Sequence, residues 1–358
     1  MPAPVSLTEI LPIDYPIIQA PMLGVTTPDM VAAIANAGGL GSLPVGGLSP
    51  EKTADLIRAT KARTRKPFAV NLFTHETTLP VDPAELDAMQ DWLAGLYAEY
   101  GLPFERRGPA DFTFYGYRDQ VAVLLSERIP VVSFTFGTLE PAVIDSLKRQ
   151  GSRLIGTATS VREARLLAEL GVDAVVAQGV EAGGHRGSFL TDEALPQVGL
   201  MALLPQVAAA VSVPVIAAGG LFDAGTVKAV FGLGAAGVQL GSYFLASDES
   251  GASAAYKEAV LNAGDTATTL TRAFSGRWAR GIRNGFMARV EQSGLAILPY
   301  TYQNSLTAAL RAYGQQHNLT DLIALWAGQS ASQSRRGPCR QLLLSLVDAL
   351  RRDPEPVF

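Results

Sequence analysis

Cysteine is almost missing from these 358 residues: Cys339 stands alone. That excludes an intramolecular disulfide and a cysteine-rich metal site, and it fits a reducing compartment. Charge is scarce too, at 17% against 48% hydrophobic residues, so the chain is too apolar to stay disordered and long enough to bury a large core. No Lys/Arg cluster with interleaved aromatics occurs, and the formal net charge is −4, which argues against nucleic acid as a partner. No run reaches the ~18 unbroken apolar residues of a membrane span. The opening MPAPVSLTEILPIDYP lacks the basic and apolar regions of a signal peptide. The N-terminal unit has no GxGxxG fingerprint followed by a helix and a downstream acid, so no Rossmann domain is expected. These absences leave a soluble, cytoplasmic, globular protein, monomer or homodimer, as the expectation.

Glycine and proline are plentiful, at 35 and 22 residues, and lie scattered between short apolar runs. Eight runs read as strands buried on both faces: residues 16–22, 40–46, 68–73, 131–137, 153–159, 174–180, 214–220 and 237–245. Amphipathic stretches separate them. Thr27-Pro28-Asp29 and Ser49-Pro50-Glu51 open helices with a cap and an early proline. Ser160 and Glu163 have capping-box spacing, and Asp223 is a further cap. Such alternation predicts right-handed βαβ units closing into an α/β fold, a (β/α)8 TIM barrel, with a doubly wound open sheet as the alternative. The expected division is a barrel over 1–246 with an insertion at 75–117, a mostly helical lobe over 247–313 covering the C-terminal face, and a tail over 314–358 whose helices pack back on the barrel.

Catalytic groups of such barrels gather at the C-terminal ends of the strands. Ala20, Pro21 and Met22 close the first strand, where the proline fixes a turn and leaves backbone groups to face a ligand; a strand simply ending at proline is the competing reading. Asn71 and Gln178 are amides inside apolar strands and need partners from protein or ligand. Gly183, Gly184 and Gly187 surround His185, the only one of three histidines embedded in such a loop, and the setting marks it as an acid–base residue. Gly219-Gly220 and Gly241-Ser242 end the last two strands, where barrels often hold a phosphate through free N–H groups. One such turn is weak evidence; two, one βα unit apart, are specific. Tyr300, Tyr302 and Arg280 in the covering lobe are candidates for an anionic substrate, with ordinary packing as the competing reading.

The stretches QAPM (19–22), NLF (71–73), SFTFG (133–137), GVEAGGHRG (179–187) and AAGGLFDAGTVKAVFGLGAAGVQLGSYFL (217–245) together resemble one family. With FSGRWARGIRN (274–284) and WAGQ (326–329), the chain is similar almost throughout to the FMN-dependent nitronate monooxygenases, formerly 2-nitropropane dioxygenases, of the class I type. The resemblance implies that Asn71, Gln178, Gly183 and Gly220 contact FMN, that Gln239, Leu240, Gly241 and Ser242 hold its phosphate, and that His185 is the catalytic base. It further implies oxidation of an alkyl nitronate, propionate-3-nitronate being the natural guess, by O2 to a carbonyl compound and nitrite. Ser242 stands where threonine is usual, which keeps the hydroxyl, and the insertion is longer than expected. Flavin enoyl-ACP reductases and some NADH:quinone reductases share the glycine-rich turns. The rival readings are therefore an NAD(P)H-dependent FMN reductase acting on a quinone or enoyl thioester, and a non-catalytic FMN-binding barrel.

Overall fold

All eight apolar runs become parallel strands in the computed structural model, which describes residues 6–77, 80–190 and 195–352. They are β1 (Ile17–Gln19), β2 (Ser42–Pro44), β3 (Ala69–Phe73), β4 (Val131–Thr135), β5 (Arg153–Ala158), β6 (Ala174–Gln178), β8 (Val215–Ala218) and β9 (Gly237–Leu240). A two-residue strand, β7 (Gly184–His185), lies outside this sheet. The sheet runs β1-β9-β8-β6-β5-β4-β3-β2. Its two ends meet where Ile18 bridges Leu40, with Gln19 N donating to Leu40 O at 2.9 Å. The fully buried Gln19 side chain extends the seam, its Oε1 accepting from Ser42 N at 3.1 Å. The sheet is thus a TIM barrel and not an open doubly wound sheet.

The caps follow the sequence with one change. Thr27 Oγ1 accepts from Met30 N at 3.1 Å, Ser49 Oγ from Lys52 N at 3.3 Å, and Asp223 Oδ1 from Thr226 N at 2.8 Å. Ser160 caps its helix, but Glu163 does not complete the box. Its buried carboxylate accepts instead from Thr159 N at 2.6 Å, Phe189 N at 2.6 Å and Leu190 N at 3.0 Å. Burying a carboxylate requires several donors, and the chain beyond His185 supplies more than one cap residue can.

Leu7 and Leu11, in and just after the short helix Leu7–Ile10, pack with Ile18, Ile155, Val176 and Ile216 in one cluster inside the barrel. Each such side chain contributes roughly 1.5–3 kcal/mol of burial. A second core joins the insertion to the lobe. Leu86, Met89, Leu93 and Leu96 of the helix Pro83–Glu99 pack with Phe274, Phe286, Met287, Leu306 and Leu310. Tyr97 fastens them, its hydroxyl donating to Leu306 O at 2.6 Å. The lobe also carries β10 (Thr268–Thr271) and β11 (Ala279–Ile282), an antiparallel pair that takes β7 as its third strand. The helix Cys339–Arg352 packs Leu343 and Leu346 into the outer barrel core beside the helices Pro28–Asn36 and Ala224–Gly232. Between the helix Ala308–His317 and this one, the described residues hold only the 3-10 turn Ala331–Gln333, and Trp326 bridges Gly281 of β11. The expected outer bounds at residues 1 and 358 lie outside the described residues. Among the described residues no helix is long and apolar enough to cross a membrane.

Candidate active site

Strand ends and lobe enclose a cavity of about 300 Å³ at the mouth of the barrel. Its barrel wall brings together Ala20, Pro21 and Met22 after β1, Asn71 in β3, Gln178 in β6, Gly219 and Gly220 after β8, and Gln239, Gly241 and Ser242 around the end of β9. Gly183 and Gly184 complete that wall. Leu240 does not line it; its side chain lies in the outer core, and its carbonyl accepts from Ala20 N at 2.9 Å. Positive φ at Gly184 (72°), Gly219 (116°) and Gly220 (70°) explains glycine at those turns, since L side chains rarely adopt it. Gly183 has a different reason: a Cβ there would stand 2.5 Å from Ala327 C and Gly328 N.

The two amides present defined chemistry. Asn71 Nδ2 donates to Ser133 Oγ at 3.0 Å, leaving Oδ1 as an acceptor. Gln178 Oε1 accepts from Arg186 Nη1 at 3.0 Å and Gly187 N at 2.8 Å, while Nε2 donates to His185 O at 3.0 Å. One amide hydrogen of Gln178 is left for the cavity.

The lobe wall is aromatic and cationic. His185 sits in β7, where the sequence suggested a loop, because β11 pairs with it in the register Ala279–His185. Its ring is surrounded by Phe136, Tyr300 and Trp326 at centroid distances of 5.7, 5.8 and 5.6 Å, and Nε2 lies 2.8 Å from Ser275 Oγ. Arg277 lies 4.0 Å over the Phe136 ring and donates to Ser188 O. Arg311 donates to Asn304 O at 2.8 Å and Thr307 Oγ1 at 3.2 Å. No carboxylate pairs with either guanidinium among the described residues. Burial pushes His185 down to about 3, assisted by the nearby Arg277 and Arg311 charges and His75. Burial also raises Tyr300 to about 12, against the pull of the two arginines. The site therefore holds a neutral imidazole and a neutral phenol beside two positive charges.

Of the three lobe candidates, only Tyr300 lines the cavity. Tyr302 packs edge-on against Phe112 and Phe114, each at 5.0 Å. Arg280 turns to Val180 O at 2.8 Å and Thr268 Oγ1 at 3.3 Å. Ser275, Arg277, Asn304 and Arg311 were not singled out from sequence. The first two stood in FSGRWARGIRN, but spacing does not say which arginine turns inward. Asn304 and Arg311 carry no sequence signal at all.

The nitronate monooxygenase family model matches residues 5–349. A nitronate monooxygenase from Pseudomonas aeruginosa is 42% identical over 346 residues, spanning 96% of this chain and 98% of its own. Among solved structures, the nitroalkane oxidase from Streptomyces ansochromogenes is similar with a TM-score of 0.86 and 38% identity, over 97% of this chain and 98% of that one. FabK from Thermotoga maritima is similar at a TM-score of 0.75 and 28% identity, over 96% and 95%. The chain belongs to the nitronate monooxygenase family of flavin-dependent oxidoreductases.

Proposed function

We propose that this protein is an FMN-dependent nitronate monooxygenase that oxidises alkyl nitronates with O2 to a carbonyl compound and nitrite, with propionate-3-nitronate as its substrate. The observation that carries the reading is His185 and Arg311 together on the cavity wall, with Arg277 over the adjoining Phe136 ring and neither guanidinium paired with a carboxylate among the described residues. A nitronate with a carboxylate tail has two negative charges to set against them.

The barrel wall fits FMN. Asn71 Oδ1 and the spare Gln178 hydrogen offer an acceptor and a donor to a planar heterocycle, and Met22 and Val176 offer apolar contact. Gly219, Gly220, Gly241 and Ser242 would take the phosphate. When bound, FMN supplies the electron transfer and the oxygen chemistry. The protein's part is to orient the substrate, exclude water and move one proton. His185 takes the α-proton when a neutral nitroalkane enters, and Arg311 on the cavity wall stabilises the resulting anion, backed by the charge of Arg277.

The similarity to FabK keeps the flavin reductase as the second reading. Replacing His185 with asparagine tests the base. FMN content and nitronate oxidation should persist while neutral nitroalkane turnover falls by ~10²–10⁴-fold. Undiminished nitroalkane turnover would remove the base from the account.

A further inference from the structure

His185 holds the protein through one ring nitrogen only. Nε2 lies 2.8 Å from Ser275 Oγ, whereas Nδ1 has no protein partner and is not enclosed, so it opens on the cavity. Two hydrogen arrangements satisfy the 2.8 Å contact. In one, the Ser275 hydroxyl donates to Nε2, and Nδ1 presents an N–H to the cavity. In the other, the hydroxyl donates to Arg277 O at 3.2 Å, Nε2–H donates to Oγ, and Nδ1 presents a lone pair.

The second arrangement matches Ser275 Oγ, His185 Nε2 and Arg277 O together. Arg277 O has no other donor among the described residues, and the first arrangement would strand it. The Arg277 N–H reaches Oγ at 3.4 Å in either case. Ser275 is 2% exposed, and its neighbours are fixed: Gln303 Nε2 donates to Ala273 O at 2.8 Å, and Thr307 Oγ1 donates to Phe274 O at 2.6 Å.

We infer that Ser275 is a positioning residue that fixes His185 as the Nε2–H tautomer, so that Nδ1 offers its lone pair to the α-proton of a neutral nitroalkane. This rests on the function proposed above and narrows it: the site is built to make its own nitronate as well as to receive one. The step balances without a further reactant. The α C–H bond breaks, its electron pair moves into the nitro group, and the proton goes to Nδ1. The imidazolium keeps its Nε2–H bond to Ser275, and the nitronate gains the neighbouring guanidinium charges.

The chain has only three histidines, so ring nitrogens can be followed individually by NMR in ¹⁵N-histidine-labelled holoenzyme, with His185 assigned from its loss in His185→Asn. The wild type should show Nε2 protonated and Nδ1 bare. Ser275→Ala should give mixed tautomers and slow neutral nitroalkane turnover about tenfold, leaving nitronate turnover within about twofold. Ser275→Thr should restore both the spectrum and the rate. An Nδ1–H tautomer in the wild type overturns the inference, as does a Ser275→Ala enzyme with unchanged tautomer and rate. If His185→Asn turns over nitroalkanes like wild type, the base role itself falls, whichever tautomer the spectrum reports.

Discussion

The two walls of the cavity are made of different material. The barrel wall is backbone, glycine and two amides, set by the ends of β1, β3, β6, β8 and β9. The lobe wall is side chain: a histidine, a tyrosine, a tryptophan and one arginine, Arg311, beside the second core. A barrel fixes where its strand ends lie, so its wall is shared wherever the same ligand is held. The lobe wall follows from packing between distant segments, and it is where substrate choice can vary without disturbing the cofactor.

That contrast can be broken from either side. The largest effect is expected on the barrel side, from Gly183→Ala. The new Cβ would meet Ala327 C and Gly328 N at 2.5 Å. Stability should drop by ~1–3 kcal/mol, and the purified protein should lose its flavin, read from thermal denaturation and absorbance. Retention of both would mean that close backbone approach does not define this wall.

On the lobe side, Arg311→Met should leave flavin content unchanged and raise KM for a carboxylated nitronate by about tenfold, with a smaller change for an uncharged alkyl nitronate. Equal changes for both substrates would detach Arg311 from the carboxylate. The smallest effect is a flat pH profile. With His185 held down to about 3, its imidazole stays neutral through the ordinary range, and kcat/KM for a neutral nitroalkane should not fall between about pH 8 and 5. The same lowering makes His185's contribution to folding stability full above about pH 6.5 and progressively lost as pH falls towards 3, because the unfolded chain binds the proton first. An acidic limb near 6.5 would place the group in a wetter setting.

The barrel was legible because each strand is a local apolar run closed by a local breaker, and the caps at Thr27, Ser49 and Asp223 need only their own helices. Glu163 was misread because its partners, Phe189 and Leu190, lie a strand and a turn away. On the barrel wall, Asn71 and Gln178 stood out as polar residues in apolar strands. No periodicity links Leu86–Tyr97 to Phe274–Leu310, so the insertion's place under the lobe was invisible. The same gap hid Arg277 and Arg311 and drew attention to Arg280 and Tyr302, which the fold turns to other partners. His185 was found by its glycine setting, but the strand that aims it depends on pairing with β11, about ninety residues along the chain.

The most direct test of the account is anaerobic mixing of the purified yellow protein with propionate-3-nitronate or with NADH, followed by flavin absorbance. The account predicts that the nitronate bleaches the flavin and NADH does not. Rapid bleaching by NADH alone, or a colourless protein that binds no added FMN, would contradict it.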